Sequence, residues 1–92
     1  MDDFDNDEWA EMQEMYINHT FNELKNIKET LDSTTFDSLR TFGHNIKGSG
    51  GMYGFNEITS MGAKIESAAI NENLEDIKSH LDALGVFLKS KL

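Results

Sequence analysis

The stretch FDSLRTFGHNIKGSGGMYGF, residues 36–55, decides the fold, because two patterns that ordinarily exclude one another run through it together. At about 100° per residue, Phe36, Leu39, Phe42, Ile46 and Tyr53 gather on one side of a helix. Yet Gly43, Gly48, Gly50 and Gly51 lie inside the same segment, and a glycine in a helix interior costs about 1 kcal/mol relative to alanine. In a domain whose whole stability is about 5–15 kcal/mol, such a set of glycines calls for a use. Position separates two uses. Gly43 and Gly50 lie toward the flank of the apolar stripe, where a missing side chain admits a neighbouring helix. Gly48 and Gly51 lie beside His44, almost opposite the stripe, where something from outside can come close. A plain frayed helix end at GSGG is the alternative. Met52 and Tyr53 nevertheless continue the helical phase, and Gly54 already supplies a terminator.

Working outward, the apolar residues recur three and four apart almost everywhere. Upstream, Asp5, Asn6 and Asp7 can cap a first helix carrying Trp9, Met12 and Tyr16. Ile17, Phe21, Leu24, Ile27 and Leu31 continue the stripe through or just after a break near Asn18 to Thr20, so one long helix and a short helix leading into a long one both fit. Ser33 to Thr35 offer cap hydroxyls for the helix of residues 36–55, with Asp37 near its positive end. Downstream, a break at Gly54 and Phe55 precedes Asn56, which can cap a third helix with Ile58, Met61, Ile65 and Ala69 facing inward. Asn71 to Asn73 interrupt again, Asp76 follows Asn73 by three, and Leu74, Ile77, Leu81, Leu84 and Leu88 mark a last helix. With no proline and short connections, the expected fold is all-α: a single domain over residues 1–92, packed as an antiparallel up-and-down four-helix bundle with an N-terminal helical extension. Phe4, Trp9 and Met12 either cover the open end of that bundle or offer a contact surface to a partner.

Composition excludes several classes of function. Seventeen Asp and Glu against eight Lys and Arg leave a formal charge of −9, which repels a nucleic-acid backbone or an anionic membrane. There is no cysteine for disulfides or thiolate metal sites. The start at Met1 is acidic rather than basic and then apolar, so no secretion signal is read there, and no apolar run reaches the ~18 residues of a membrane span. A cytoplasmic monomer is expected, and the absence of linker-like ends favours a stand-alone protein.

The chemistry centres on His44. Arg40 lies a turn before it and Lys47 a turn after, so positive charge is at hand for an anion held on the ring. No carboxylate lies one turn away along the helix, since the i−4 and i+4 neighbours are Arg40 and Gly48, and Ser49 points about 140° away. An imidazole that is part neutral at pH 7 and lacks a serine–aspartate arrangement reads as a nucleophile or carrier, not as a member of a hydrolytic triad. Between Leu39 and Phe55 there are Arg40 and Lys47 and no acid at all, so the anion site is expected to be free of carboxylates. His19 and His80 read as surface or boundary residues, and three isolated histidines without a Glu-x-x-His pair argue against a bundle metal site. Neither a GxxxxGK[ST] loop nor a kinase glycine loop is present to bind ATP.

The string H44-N-I-K-G-S-G-G-M-Y-G-F55 resembles the signature of the histidine phosphotransfer (HPt) domain family, in a bacterial form close to HxxKGxGxxYGF. His44, Lys47, Gly48, Ser49 and Gly54 fill the family positions, Gly50, Tyr53 and Phe55 fit the bacterial form, and G62-A-K-I-E66 resembles the following helix with its small residue and glutamate. The resemblance runs from Tyr16 to the C-terminus and leaves residues 1–15 as a variable N-terminal segment. It implies that His44 is phosphorylated at Nε2 from a receiver-domain phosphoaspartate and passes the group to another receiver's aspartate. It also implies that Lys47 offsets phosphoryl charge, and that Arg40, Gly48 and Gly51 belong to the docking face. Gly43, Ser49, Gly50, Tyr53, Gly54, Phe55, Gly62 and Glu66 would be structural. The partners implied are receiver domains of response regulators or of a hybrid sensor histidine kinase. The protein would be a phosphoryl carrier without kinase activity or an intrinsic cofactor, Mg²⁺ coming from the receiver. A non-catalytic helical adaptor using the same face is the alternative.

Overall fold

The computed structural model describes residues 6–92; Phe4 and Asp5, named above for the end cover and the first cap, lie outside the described residues. Four helices follow in order: α1 Asn6–Glu29, α2 Phe36–Gly50, α3 Asn56–Ile70 and α4 Leu74–Lys89, with 3₁₀ turns at Leu31–Ser33 and Gly51–Tyr53. α1 is one helix of 24 residues, so the break near Asn18 to Thr20 does not occur. Ile17, Thr20 and Leu24 are all buried at helical spacing, and the apolar phase therefore carries straight through the polar segment.

Local chemistry places the ends. The Thr35 hydroxyl caps α2 by accepting from Ser38 N at 3.0 Å, and the Asn73 side chain caps α4 by accepting from Asp76 N at 3.1 Å. Gly54 adopts the left-handed conformation, φ +85°, that a side chain resists. Around it Phe55 N donates to Gly50 O at 2.8 Å and Gly54 N to Gly51 O at 3.0 Å, the paired closure of a Schellman motif. That turn corrects the expected start of α3 by one residue: Phe55, not Asn56, occupies the cap position, and its ring is carried inward while Asn56 begins the helix. Glu72 closes α3 in the left-handed region without being glycine, φ 54°.

The core draws on every helix. Ile17 and Leu24, then Leu39, Phe42 and Ile46, then Ile58 and Ile65, then Ile77, Leu81, Leu84 and Leu88 are each at most 5% exposed. Leu74, placed in the α4 stripe by spacing, is instead 41% exposed at the first residue of α4, and the buried stripe begins at Ile77. Tyr53 also leaves its stripe. It stacks on Tyr16 with centroids 4.4 Å apart and on Trp9 at 6.3 Å, and its carbonyl accepts from Gln13 Nε2 at 2.8 Å. Trp9 thus packs over the turn between α2 and α3, next to Tyr53 and Gly54. No helix among the described residues is long and apolar enough to cross a membrane.

Candidate functional site

The site rests on two glycines that face each other across α2 and α3. A Cβ on Gly62 would lie 2.6 Å from Lys47 N and 2.7 Å from Gly43 O, and one on Gly43 would lie 2.6 Å from Glu66 N. A Cβ on Gly50 would lie 2.7 Å from Thr59 N. No side chain fits these distances, so the two antiparallel helices meet backbone to backbone. The consequence is chemical: α3 comes near enough for Glu66 to reach over the crest of α2.

Its carboxylate bridges both functional side chains. Glu66 Oε2 lies 2.9 Å from His44 Nδ1, and Oε1 accepts from Lys47 Nζ at 2.6 Å. The His44 side chain is 64% exposed, whereas that of Glu66 is only 15% exposed. The Lys47 hydrogen bond, opposed by partial desolvation and aided by His44, holds the Glu66 carboxyl below its ordinary range. Ionised, Glu66 can only accept, so the proton sits on Nδ1, and the Nε2 lone pair of the neutral ring has no partner among the described residues.

This corrects the expectation of a site without carboxylates. Periodicity along α2 gives His44 the i−4, i+3 and i+4 neighbours Arg40, Lys47 and Gly48 and no acid, and Glu66 lies 22 positions away. The usable signal was indirect: Glu66 follows Gly62 by one turn, so a helix forced close at Gly62 presents its next turn to the same neighbour.

The other residues sort themselves around this bridge. Among the described residues nothing lies within 4 Å of a Cβ on Gly48, which leaves open space beside His44. Gly51 is less open, since a Cβ there would touch Thr59 Oγ1 at 3.4 Å and Asn56 Oδ1 at 3.5 Å. Arg40 stands exposed, its Nε 3.9 Å from Asp37 Oδ1. Ser49 turns away from the site, donating to Asn45 O at 3.0 Å, so the 2.8 Å contact with Tyr16 is a hydrogen bond donated by the phenol. Burial raises the Tyr16 pKa and keeps that donor protonated.

Thr59 was missed by the sequence reading. Its hydroxyl accepts from Gly51 N at 2.8 Å and donates to Lys47 O at 3.0 Å, inserting itself into the bond the α-helix would make between those two groups. The helix opens there and tightens into the 3₁₀ turn at Gly51–Tyr53.

Glu66 yields a pH prediction. A carboxylate whose native pKa is lowered contributes stability that is fully present above its ordinary value of 4.5 and is lost as pH falls through the lowered native value. Urea melts of Glu66→Gln should therefore show a shallower loss of stability on acidification than the parent, with lower stability at neutral pH. Parallel pH profiles for the two proteins would remove this linkage.

The family model for the Hpt domain matches residues 11–88. No curated protein and no solved structure matches the chain. A match over most of the sequence, on a four-helix bundle whose exposed histidine is held by a glutamate across a glycine seam, places this chain in the Hpt domain family, which serves histidine phosphotransfer in phosphorelays.

Proposed function

We propose that His44 accepts a phosphoryl group from the phosphoaspartate of one receiver domain and hands it to the aspartate of another. The observation that carries this reading is an imidazole open to solvent and anchored through Nδ1, so that Nε2 is the free nucleophile. In the forward step the Nε2 lone pair forms the N–P bond while the P–O bond to the receiver breaks and the aspartate leaves as carboxylate. The positive charge that develops on the ring is offset by Glu66 at Nδ1, and no proton needs to move. Return to the second aspartate reverses the sequence.

Lys47 supports the same reading. An ammonium has three donors and Glu66 takes one, which leaves two for the equatorial phosphoryl oxygens. The receivers would supply Mg²⁺ for the remaining charge. Lys47→Ala is expected to slow transfer about tenfold and to lower stability modestly, because the part-buried Glu66 carboxylate then keeps only His44 as a partner. Equal single-turnover rates for mutant and parent would remove the role.

Gly48 tests clearance. Gly48→Ala meets open space and should raise stability by about 1 kcal/mol, or Tm by about 4–8 °C. Gly48→Leu should retain the fold yet weaken receiver docking. Unchanged receiver affinity in Gly48→Leu would overturn the proposed approach over this position.

The function itself is tested by incubating the protein with a phosphorylated receiver and then adding a second, unphosphorylated one. Acid-labile, alkali-stable label should appear on the protein and be chased onto the second receiver. Receiver binding without label would support the adaptor reading in its place.

A further inference from the structure

The α1–α4 side of the bundle carries a groove that phosphoryl transfer leaves unused. Phe21 and Leu24 of α1 and Gly85 and Val86 of α4 line a hollow of about 560 Å³. A second hollow of about 180 Å³ adjoins it at Lys28 and Asp82 and reaches Leu31 and Lys78. The two fall in line because α1 and α4 run antiparallel, with Leu24 against Gly85 and Lys28 Nζ bonded to Asp82 at 2.7 Å. From Phe21 to Leu31 the line extends for about 15 Å, between two and three turns of helix.

Charge distinguishes this line from the rest of the surface. Four of the chain's eight Lys and Arg, Lys25, Lys28, Lys78 and Lys89, stand along it, and Asp82 is the one acid among its lining residues, in a protein of net charge −9. Lys28 is taken by Asp82, whereas Lys25, Lys78 and Lys89 form no ion pair among the described residues.

Gly85 adds an independent reason. Unlike Gly43 and Gly62, it is not demanded by packing: a Cβ there would meet Leu24 Cδ2 at 3.5 Å, an ordinary contact. Alanine would fit and favour the helix by about 1 kcal/mol. What the glycine does is keep the floor of the groove low, next to Val86, which is 72% exposed.

We propose that this groove is a second docking site, for an acidic amphipathic helix of a partner protein. An apolar stripe on that helix lies over Leu24, Gly85 and Val86, and its flanking carboxylates meet Lys25, Lys78 and Lys89. Length, an apolar floor and a positive rim together fit a helix. Since α1 and α4 form the wall opposite the α2–α3 seam, a partner held here leaves His44 free for its receiver. The site would act as a tether that raises the local concentration of a relay partner.

The test uses the full chain and a lactam-bridged helical peptide of about four turns, with apolar residues at i, i+3, i+4 and i+7 and glutamates on both flanks. A second peptide replaces the glutamates by lysine. At low salt, fluorescence anisotropy should show saturable binding of the acidic peptide and none of the basic one. Amide resonance shifts should centre on residues 21–31 and 78–89. Lys25→Glu/Lys89→Glu should weaken binding about tenfold, and Val86→Glu should also weaken it, while His44→Gln binds as the parent does. Should the charge reversal unfold the chain in circular dichroism, Lys25→Gln/Lys89→Gln takes its place with a smaller expected loss. No saturable binding, equal binding of both peptides, indifference to the lysine changes, or shifts centred on residues 44–51 would each overturn the proposal.

Discussion

His44→Gln takes up no phosphoryl label from a phosphorylated receiver, while His19→Gln and His80→Gln label as the parent does: this is the expected outcome of the transfer assay. The effect is all-or-none because one atom is being removed. Glutamine keeps an N–H that can reach Glu66, so the seam and the fold should survive, but its amide offers no nucleophilic nitrogen. Exposure by itself does not distinguish His44 from His19. The His19 side chain is 73% exposed, more than that of His44, yet its partner is Glu23 at 3.5 Å one turn along the same helix. It has no equivalent of the Lys47–Glu66 pair, and His80 is half-buried on α4. Label retained by His44→Gln, or lost in His19→Gln or His80→Gln, would overturn the assignment.

Gly62→Ala should cause a large loss of stability for a single added methyl group. The new Cβ would sit 2.6 Å from Lys47 N, 2.7 Å from Gly43 O and 2.8 Å from Ile46 Cγ1. Two of those three atoms are backbone, and neither can swing aside as a flexible side chain would. Alanine gains about 1 kcal/mol of helix propensity, but overpacking against rigid neighbours costs 1–3 kcal/mol or more, and with two helices forced apart a net loss of about 3 kcal/mol is expected. For a domain of this size that is a fall in Tm of roughly 12 °C or more, the opposite sign to Gly48→Ala. Separating the helices should also pull Glu66 away from His44 Nδ1, so transfer should slow even at temperatures where the mutant stays folded. An unchanged melting temperature would mean that α2 and α3 do not meet as closely as their backbones indicate.

Much of the fold was legible because it rests on local rules. Most inward residues of α2, α3 and α4 follow from helical spacing, Leu74 and Tyr53 excepted, and residue type offers caps among Ser33 to Thr35 and at Asn73, of which Thr35 is the one used at α2. The errors lie where a neighbour in space outweighs a neighbour in sequence. Polar residues at Asn18 to Thr20 left one helix and two both open, and burial of Thr20 against the core goes with a single helix. Tyr53 was assigned to the α2 stripe, but the Thr59 hydroxyl opens that helix at Gly51 and sends the ring to Trp9 and Tyr16. The two glycines assigned to the docking face are both exposed, and Gly51 in addition borders Thr59 and Asn56 of α3.

For the site itself, the amino-acid order alone determined that His44 would stand opposite the apolar stripe, with Lys47 one turn on and bare backbone at Gly48, because side-chain direction on a helix is set by position. It could not determine which proton the imidazole carries. That depends on Glu66, which reaches His44 only because Gly43 and Gly62 let two helix backbones touch. A contact between residues 22 apart is a property of how helices pack, not of any one helix.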